Sequence, residues 1–180
     1  MKAENIKTAV FANGCFWCTE AVFSMLKGVQ SVKPGYTGGT TDNPTYERVA
    51  GGNTDHAEAI QIMYDPALIS YDDLLMVFFN THNPTTLNQQ GNDIGTEYRS
   101  AIFYTDNEQK SKAEALIKEL NEIKAYSEPV ITEVKPLTKF FEAEGYHHDF
   151  YKNNSGAMYC QLMITPKVEK LQKRFAELLK

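Results

Sequence analysis

The stretch Val10-Phe11-Ala12-Asn13-Gly14-Cys15-Phe16-Trp17-Cys18-Thr19-Glu20 joins a short apolar segment to a helical one through a glycine. Residues 8–12 are β-branched, aromatic or small, which is typical of a strand, and Gly14 allows a sharp turn after it. Apolar residues then recur at helical spacing over residues 16–26, and Gly28 favours a helix end just beyond. The stretch therefore predicts a strand, a glycine turn and a helix that begins at the cysteines.

The two cysteines of this stretch are the first candidates for chemistry. Cys15 lies at the N-terminus of the predicted helix, where unpaired N–H groups and the helix dipole favour an anion. We therefore expect its thiol to ionise more readily than that of a free cysteine. Cys18 lies three residues later, on the same helical face and within possible disulfide reach. This pattern favours Cys15 as a nucleophile and a second thiol that resolves a covalent or sulfenic intermediate, although a structural pair stays an alternative.

Length and composition narrow the class of protein. A chain of 180 residues with 42% hydrophobic residues favours one catalytic domain, residues 1–180, with a sizeable core. The net charge of −5 and the lack of a Lys/Arg cluster argue against nucleic acid or an anionic membrane as partner. No apolar run is long enough to span a bilayer and no signal peptide is evident, so we expect a cytoplasmic protein. Three cysteines are too few for a disulfide framework, which favours redox or catalytic use.

The order of predicted elements indicates the fold class. Ser70 with Asp73 resembles a capping box, and Thr105 with Glu108 is expected to cap a later helix. Strands are predicted at residues 29–36, 57–64, 99–104, 130–135 and 157–165, and helices at 71–82, 105–124 and 166–180. The leading order β-α-β-β-α-β favours an α+β fold with a ferredoxin-like two-layer core, a mixed sheet, extra helices and C-terminal additions.

Three polar side chains are candidates for proton transfer. Glu58 opens an otherwise apolar strand, and a partly buried carboxyl keeps its proton and can act as a general acid near neutral pH. Tyr46 and Tyr98 carry hydroxyl groups on loops or strand starts. A lone tyrosine is more often a core ring and a lone glutamate is usually solvated, so the residues alone leave this set open.

A metal site is the weaker interpretation of the cysteines. Zinc would need Cys15, Cys18, Cys160 and a histidine, and that spacing matches no common zinc finger. The four histidines share no metal-binding spacing either, and each is interpreted as structural; they are His56, His82, His147 and His148. We expect no bound metal and no organic cofactor.

Four motifs together resemble one enzyme family. They are Gly14-Cys15-Phe16-Trp17, Gly35-Tyr36-Thr37-Gly38-Gly39, Asp55-His56-Ala57-Glu58-Ala59 and Gly95-Thr96-Glu97-Tyr98-Arg99-Ser100. In residues, order and spacing they closely resemble peptide methionine sulfoxide reductase, type A. The resemblance extends from about Thr8 through Tyr146-His147-His148-Asp149-Phe150-Tyr151, so it covers most of the chain.

The resemblance implies a chemical role for each candidate. Cys15 would attack the sulfur of methionine S-sulfoxide, in a protein, a peptide or the free amino acid, and become a sulfenic acid. Glu58, helped by Tyr46 and Tyr98, would protonate and hold the sulfoxide oxygen. The residues implied to bind the substrate are Phe16 and Trp17, which would enclose its methyl group, and Asp93, which would orient it.

The chain departs from the commonest family pattern at the resolving cysteine. The residue three after the nucleophile is often glycine in the family and is Cys18 here, whereas other members resolve with C-terminal cysteines. Cys160 lies near such a position, but it could instead be a buried small hydrophobe. We favour Cys18 as the first resolving thiol, keep Cys160 as a second candidate, and expect thioredoxin to reduce the resulting disulfide.

Two other functions stay open on the sequence. A general thiol–disulfide oxidoreductase would use Cys15 and Cys18 but would leave Glu58, Tyr46 and Tyr98 without a role. A cysteine-based redox sensor or zinc-binding module is the non-enzymatic alternative. Stoichiometric zinc, or no turnover of any sulfoxide, would favour it.

Overall fold

The protein is described from a computed structural model over residues 5–180. Within this range the strands are β1 (Lys7–Asn13), β2 (Val29–Thr37), β3 (Ala57–Tyr64), β4 (Gln89–Gln90), β5 (Asp93–Ile94), β6 (Ser100–Tyr104), β7 (Glu133–Pro136) and β8 (Phe140–Glu142). The α-helices are α1 (Phe16–Phe23), α2 (Tyr46–Ala50), α3 (Tyr71–Asn80), α4 (Asn107–Glu122), α5 (Phe150–Asn154) and α6 (Thr165–Arg174). Short 3₁₀ turns lie at Thr96–Tyr98, Gly145–His147 and Ala176–Leu178, and Cys160–Ile164 forms a π-helical turn.

Six of the strands form one mixed sheet in the order β7-β6-β1-β3-β2-β8. Neighbours are antiparallel except β6 and β7, which are parallel. The strands β4 and β5 form a separate two-stranded hairpin. The predicted α+β class and mixed sheet are confirmed.

The centre of the sheet is buried on both faces, as the apolar residues of β1 require. Phe11 packs into the larger hydrophobic cluster with Phe23 of α1 and Phe78 of α3, while Val10 on the opposite face packs with Phe103. Successive side chains of a strand alternate between faces, so both faces of β1 need cover. Each fully buried phenylalanine contributes about 1.5–3 kcal/mol relative to exposure, which anchors α1 and the turn before it.

The register of the sheet determines which residues meet at its edge. In the antiparallel pair of β1 and β3, Phe11 lies opposite Ile60. Asn13, the last residue of β1, lies opposite Ser100 at the start of β6, and Glu58 lies near the start of β3, two residues before Ile60. The end of β1 and the beginnings of β3 and β6 therefore share one edge, where the cysteine turn follows β1.

One predicted helix cap is confirmed and the other is wrong. The Asp73 N–H donates to Ser70 Oγ at 3.0 Å and the Ser70 N–H donates to Asp73 Oδ2 at 3.1 Å, which is a capping box. The cap of α4 is Asp106, whose Oδ1 accepts from the Gln109 N–H at 2.8 Å, and not Thr105. The cap is therefore one residue later than we predicted, and α4 begins at Asn107.

The last predicted strand, residues 157–165 with Cys160, is wrong. This segment is helical and continues into α6, with Pro166 in the first turn as expected. Its buried residues recur every three or four positions, which is a helical and not a strand period; they are Cys160, Ile164, Val168 and Leu171. Across residues 5–180, none of the helices combines the length and apolarity that crossing a bilayer requires.

Candidate active site

The turn that carries Cys15 is built by the glycine before it and the helix after it. Gly14 has φ +103°, and a Cβ there would lie 2.8 Å from the Gln90 side chain, so no other residue fits without movement. The Cys15 carbonyl accepts from the backbone N–H groups of Cys18 at 3.1 Å and Thr19 at 3.3 Å. Cys15 is thus the N-cap residue of α1, as the sequence predicts.

Glu58 lies directly beside this turn. Glu58 is only 2% exposed, and its Oε1 accepts a hydrogen bond from the Phe16 backbone N–H at 3.2 Å. Burial raises the pKa of Glu58 to about 8, with smaller contributions from the nearby carboxyl groups of Glu97 and Asp93, although the Phe16 N–H lowers it. As predicted, the carboxyl is buried and holds a proton near neutral pH.

Two tyrosine hydroxyls accompany the glutamate. Tyr46 is the first residue of α2, and Tyr98 ends a 3₁₀ turn just before β6. Burial and then the Glu58 charge raise the pKa of both phenols, that of Tyr46 to about 12, so both stay protonated donors. Glu144, which we did not predict, accepts from the Tyr46 N–H at 3.1 Å and from the Tyr36 hydroxyl at 2.9 Å and so fixes this corner.

The two thiols of α1 form a hydrogen-bonded pair of unequal acidity. Cys15 is 7% exposed and Cys18 is 4% exposed, and both are free thiols. Burial raises the pKa of Cys15 well above its usual value, and its hydrogen bond to Cys18 and the Glu58 charge raise it further. The same hydrogen bond stabilises the Cys18 thiolate and lowers the pKa of Cys18 to about 7. The prediction that Cys15 ionises more readily than a free cysteine is therefore wrong, because burial raises its pKa.

A C-terminal tyrosine connects this pair to Asp93. The Tyr159 hydroxyl donates to Asp93 Oδ2 at 3.1 Å and lies 4.0 Å from Cys18 Sγ. The next residue, Cys160, is fully buried in the same hydrophobic cluster as Cys15 and Cys18, and burial raises the pKa of its thiol. The structure thus brings all three cysteines and Asp93 to one place.

The indole of Trp17 forms an aromatic wall with side chains from the C-terminal third of the chain. Phe150 stacks on it with a centroid distance of 3.8 Å and an interplanar angle of 7°, and Tyr159 meets it edge-on at 5.7 Å. The Trp17 Nε1–H donates to His147 Nδ1 at 3.0 Å. Phe16 is buried, and its ring centroid lies 4.9 Å from that of His147.

Several residues of the site were not among the predicted ones. His147 was interpreted as structural, and Glu144, Phe150 and Tyr159 had no assigned role. Glu144, His147 and Phe150 lie in a segment without clear periodicity, and Tyr159 lies in the segment that was predicted as a strand. The contacts of these residues cross more than 60 positions of sequence. The aromatic run at residues 146–151 was the one available signal. In the described part of the chain, no three His, Cys, Asp or Glu side chains meet in an arrangement that could hold a metal ion.

Comparison with known proteins decides the family. The family model described as Peptide methionine sulfoxide reductase matches residues 7–179. The chain belongs to the peptide methionine sulfoxide reductase family. It is therefore an enzyme, an oxidoreductase of this family, and the resemblance of its motifs is confirmed.

Relatives from archaea and yeast show how far the likeness extends. Peptide methionine sulfoxide reductase MsrA of Saccharolobus solfataricus is 51% identical over 97% of this chain and 98% of its own. The MsrA of Sulfolobus acidocaldarius is 53% identical over 96% of this chain and 97% of its own. The crystal structure of reduced Mxr1 from Saccharomyces cerevisiae shares the fold with a TM-score of 0.78 at 32% identity, over 86% of this chain and 89% of that one.

Proposed function

We propose that this reductase converts the S form of methionine sulfoxide to methionine, with Cys15 as nucleophile and Glu58 as proton donor. The observation that carries the proposal is the position of the Glu58 carboxyl. It is buried, with a pKa raised to about 8, and its Oε1 lies 3.2 Å from the backbone nitrogen that follows Cys15. An acid at this place can protonate an oxide, which is otherwise a poor leaving group.

In the reductive step, an oxygen atom passes from the sulfoxide to Cys15 and protons are exchanged with Glu58. The Cys15 sulfur attacks the sulfoxide sulfur while Glu58 donates its proton to the sulfoxide oxygen, and the hydroxyls of Tyr46 and Tyr98 donate hydrogen bonds to it. The S–O bond of the substrate breaks and the oxygen becomes bonded to the Cys15 sulfur. Cys15 is thereby oxidised to a sulfenic acid, the sulfoxide is reduced to methionine, and the thiol proton of Cys15 replaces the one that Glu58 gave.

Substrate binding is assigned to the walls of the same site. Phe16 and Trp17 enclose the methyl group, because they are the apolar rings next to the nucleophile. Asp93 orients the substrate, and its carboxyl is already held by the Tyr159 hydroxyl at 3.1 Å. The substrate is methionine sulfoxide in a protein, in a peptide or as the free amino acid.

A second thiol then resolves the sulfenic acid. Cys18 attacks the Cys15 sulfur, a disulfide forms and water leaves. The hydrogen bond between the two side chains and the lowered pKa of Cys18 support Cys18 as the first resolving thiol. Cys160, packed in the same cluster, is the second candidate. Thioredoxin reduces the disulfide. Because the cycle needs a reducing compartment, we infer that the enzyme works in the cytoplasm.

The central strands and the helices between them support a specific fold for the catalytic domain. The four central strands follow the order β6-β1-β3-β2 and are all antiparallel, with α1 between β1 and β2 and α3 between β3 and β6. This arrangement supports a ferredoxin-like core in a single catalytic domain.

One alternative is favoured by a specific observation. The acidic Cys18 beside Cys15 would also suit a general thiol–disulfide oxidoreductase. That function gives no role to the buried, protonated Glu58 carboxyl. Equal reduction of unrelated disulfides by the wild type and a Glu58→Gln variant, without sulfoxide turnover, would favour the alternative.

A stereochemical assay tests the proposed function. The protein reacts anaerobically with racemic methionine sulfoxide and dithiothreitol, and chiral analysis measures both epimers that remain. We expect the S epimer to be consumed and the R epimer to persist. Persistence of both epimers would contradict the proposal.

A further inference from the structure

Glu20 is a buried carboxyl that the proposed reaction does not use. It belongs to α1 and lies three residues after Trp17, so the two side chains share one face of the helix. Glu20 is only 4% exposed, and its Oε2 is buried without a hydrogen-bond partner among the described residues. A buried carboxyl with an unpaired oxygen is costly, so the bond made by its other oxygen has to offset that cost.

That other oxygen binds the start of α5. Glu20 Oε1 accepts the Asp149 backbone N–H at 2.9 Å, and the Phe150 N–H also stabilises the carboxylate. Asp149 has φ +52°, in the left-handed region that a residue with a Cβ seldom occupies. Such a conformation persists only where its surroundings hold it. The hydrogen bond from the Asp149 N–H to Glu20 can hold Asp149 in this conformation.

The residue that follows Asp149 is the one that stacks on Trp17. The Phe150 ring lies parallel to the indole at a centroid distance of 3.8 Å. Because a change of φ at Asp149 would rotate every atom after it, the orientation of the Phe150 ring depends on the conformation that Glu20 holds. Glu20 and Trp17 thus contact neighbouring residues of the same short segment.

We propose that Glu20 is a positioning residue for substrate binding: by holding Asp149 it keeps Phe150 stacked on Trp17 and so fixes the aromatic wall beside Cys15. The role requires an acceptor oxygen at this position. It rests on the proposed function, because Trp17 matters for binding only if that wall contacts the substrate.

Three variants test this role. Glu20→Gln keeps an acceptor oxygen at the same reach, Glu20→Leu fills the same space without one, and Glu20→Ala removes the acceptor without adding bulk in case leucine does not fit. The matched control is Val22→Ala, a truncation of a buried residue that is part of the same helix and of the main hydrophobic cluster. Circular dichroism and thermal unfolding identify the variants that fold.

The readouts separate positioning from a general loss of stability. Trp17 is the sole tryptophan, so intrinsic fluorescence and acrylamide quenching report on its environment in the free protein. We expect Glu20→Leu and Glu20→Ala to expose the indole to quencher. KM for a sulfoxide peptide should rise roughly tenfold with kcat changed less than about twofold, since the hydrogen bond that holds the aromatic wall is lost. Glu20→Gln and Val22→Ala should keep the quenching and the KM of the wild type.

The opposite results would overturn the inference. Glu20→Leu or Glu20→Ala protein that folds with unchanged quenching and KM has lost only a structural contact. Glu20→Gln protein that folds but behaves like Glu20→Leu shows that an acceptor oxygen is not sufficient. The fluorescence result does not require turnover, so failure of the proposed function, seen as an inactive wild type, is distinguished from failure of this role.

Discussion

At the scale of single residues, the site differs from a simple activated thiolate. Burial keeps protons on Cys15 and on Glu58, while Cys18 is the group that ionises near pH 7. Glu58, the residue that we propose as proton donor to the sulfoxide oxygen, therefore carries a proton at neutral pH. Glu97, a second buried carboxyl nearby, raises the pKa of Glu58 but does not share its bond to the Phe16 N–H.

The first prediction concerns the Glu58 proton. Glu58→Gln should fold yet lose a factor of roughly 10²–10⁴ in the rate of the reductive step, because an amide cannot donate the proton. In the wild type this rate should fall as pH rises above about 8, where the carboxyl loses its proton. Rapid-quench single turnovers across pH measure both effects.

Glu97→Gln is the matched control for this prediction. It removes a neighbouring negative charge, so it should keep most of the rate and move the alkaline fall to lower pH. A Glu58→Gln single-turnover rate equal to that of the wild type would remove Glu58 from the reaction.

At the scale of elements, two helical segments deliver the thiols. Cys18 lies one turn from Cys15 on α1, and Cys160 begins the π-helical turn that packs against it. A disulfide within α1 requires only local adjustment of its first turn. Cys160 belongs to a separate segment, which is anchored through the hydrogen bond of Tyr159 to Asp93, so a disulfide to Cys160 would link two elements of the fold.

The second prediction separates the two thiols. Cys18→Ser should release one burst of methionine but turn over poorly with thioredoxin, whereas Cys160→Ser should lose little of either, because local closure is faster. Peptide mapping of Cys160→Ser protein after one equivalent of sulfoxide should find a Cys15–Cys18 disulfide. A Cys15–Cys160 disulfide in the wild type, together with normal turnover of Cys18→Ser, would show instead that Cys18 only fills the place of a glycine.

At the scale of the whole molecule, the buried carboxyls link the site to stability. The pKa of Glu58 is raised from 4.5 to about 8 and that of Glu20 to about 7, so the folded state binds these protons more tightly than the unfolded chain. Their contribution to the free energy of unfolding is fully present below the unfolded pKa, and it is lost as pH rises through the folded value. The two buried carboxyls therefore lower the free energy of unfolding at neutral and alkaline pH.

The third prediction measures this cost. Between pH 5 and 8 the free energy of unfolding of the wild type should fall more steeply than that of Glu58→Gln, by at most about 1.4 kcal/mol per pH unit. Urea titrations at several pH values give the two slopes. Parallel slopes would mean that Glu58 has the same pKa in both states.

The fold was predictable where pattern is local and strong. The strand, glycine turn and helix around Cys15, the capping box at Ser70 and the mixed sheet all follow from periodicity and turn residues. Residues 157–165 were mistaken for a strand because a short apolar run fits both the strand period and the helical period. In the structure the segment is helical and packs against α1. The cap of α4 was missed by one position, since Thr105 and Asp106 are both acceptable caps.

The site was predictable only in part, because some of its properties depend on tertiary contacts. Residues in recognisable motifs, such as Cys15 and Glu58, could be named as candidates, and they lie at the same turn. His147, Phe150 and Tyr159 were missed because their partners are distant in sequence. The acidity of Cys15 was predicted wrongly, since its position at the helix N-terminus can be inferred from sequence but its burial cannot.

The most direct test of the account uses protein in which Cys15 is the sole remaining cysteine. The Cys18→Ser, Cys160→Ser double variant reacts anaerobically with racemic methionine sulfoxide, without a reductant. We predict one equivalent of methionine per protein, formed from the S epimer alone, and a mass increase of one oxygen atom on the protein. In a parallel sample treated with dimedone, the sulfenic acid should be replaced by a dimedone thioether on the peptide that contains Cys15. Folded double variant that forms no methionine, or that carries the oxygen elsewhere, would contradict Cys15 as the nucleophile.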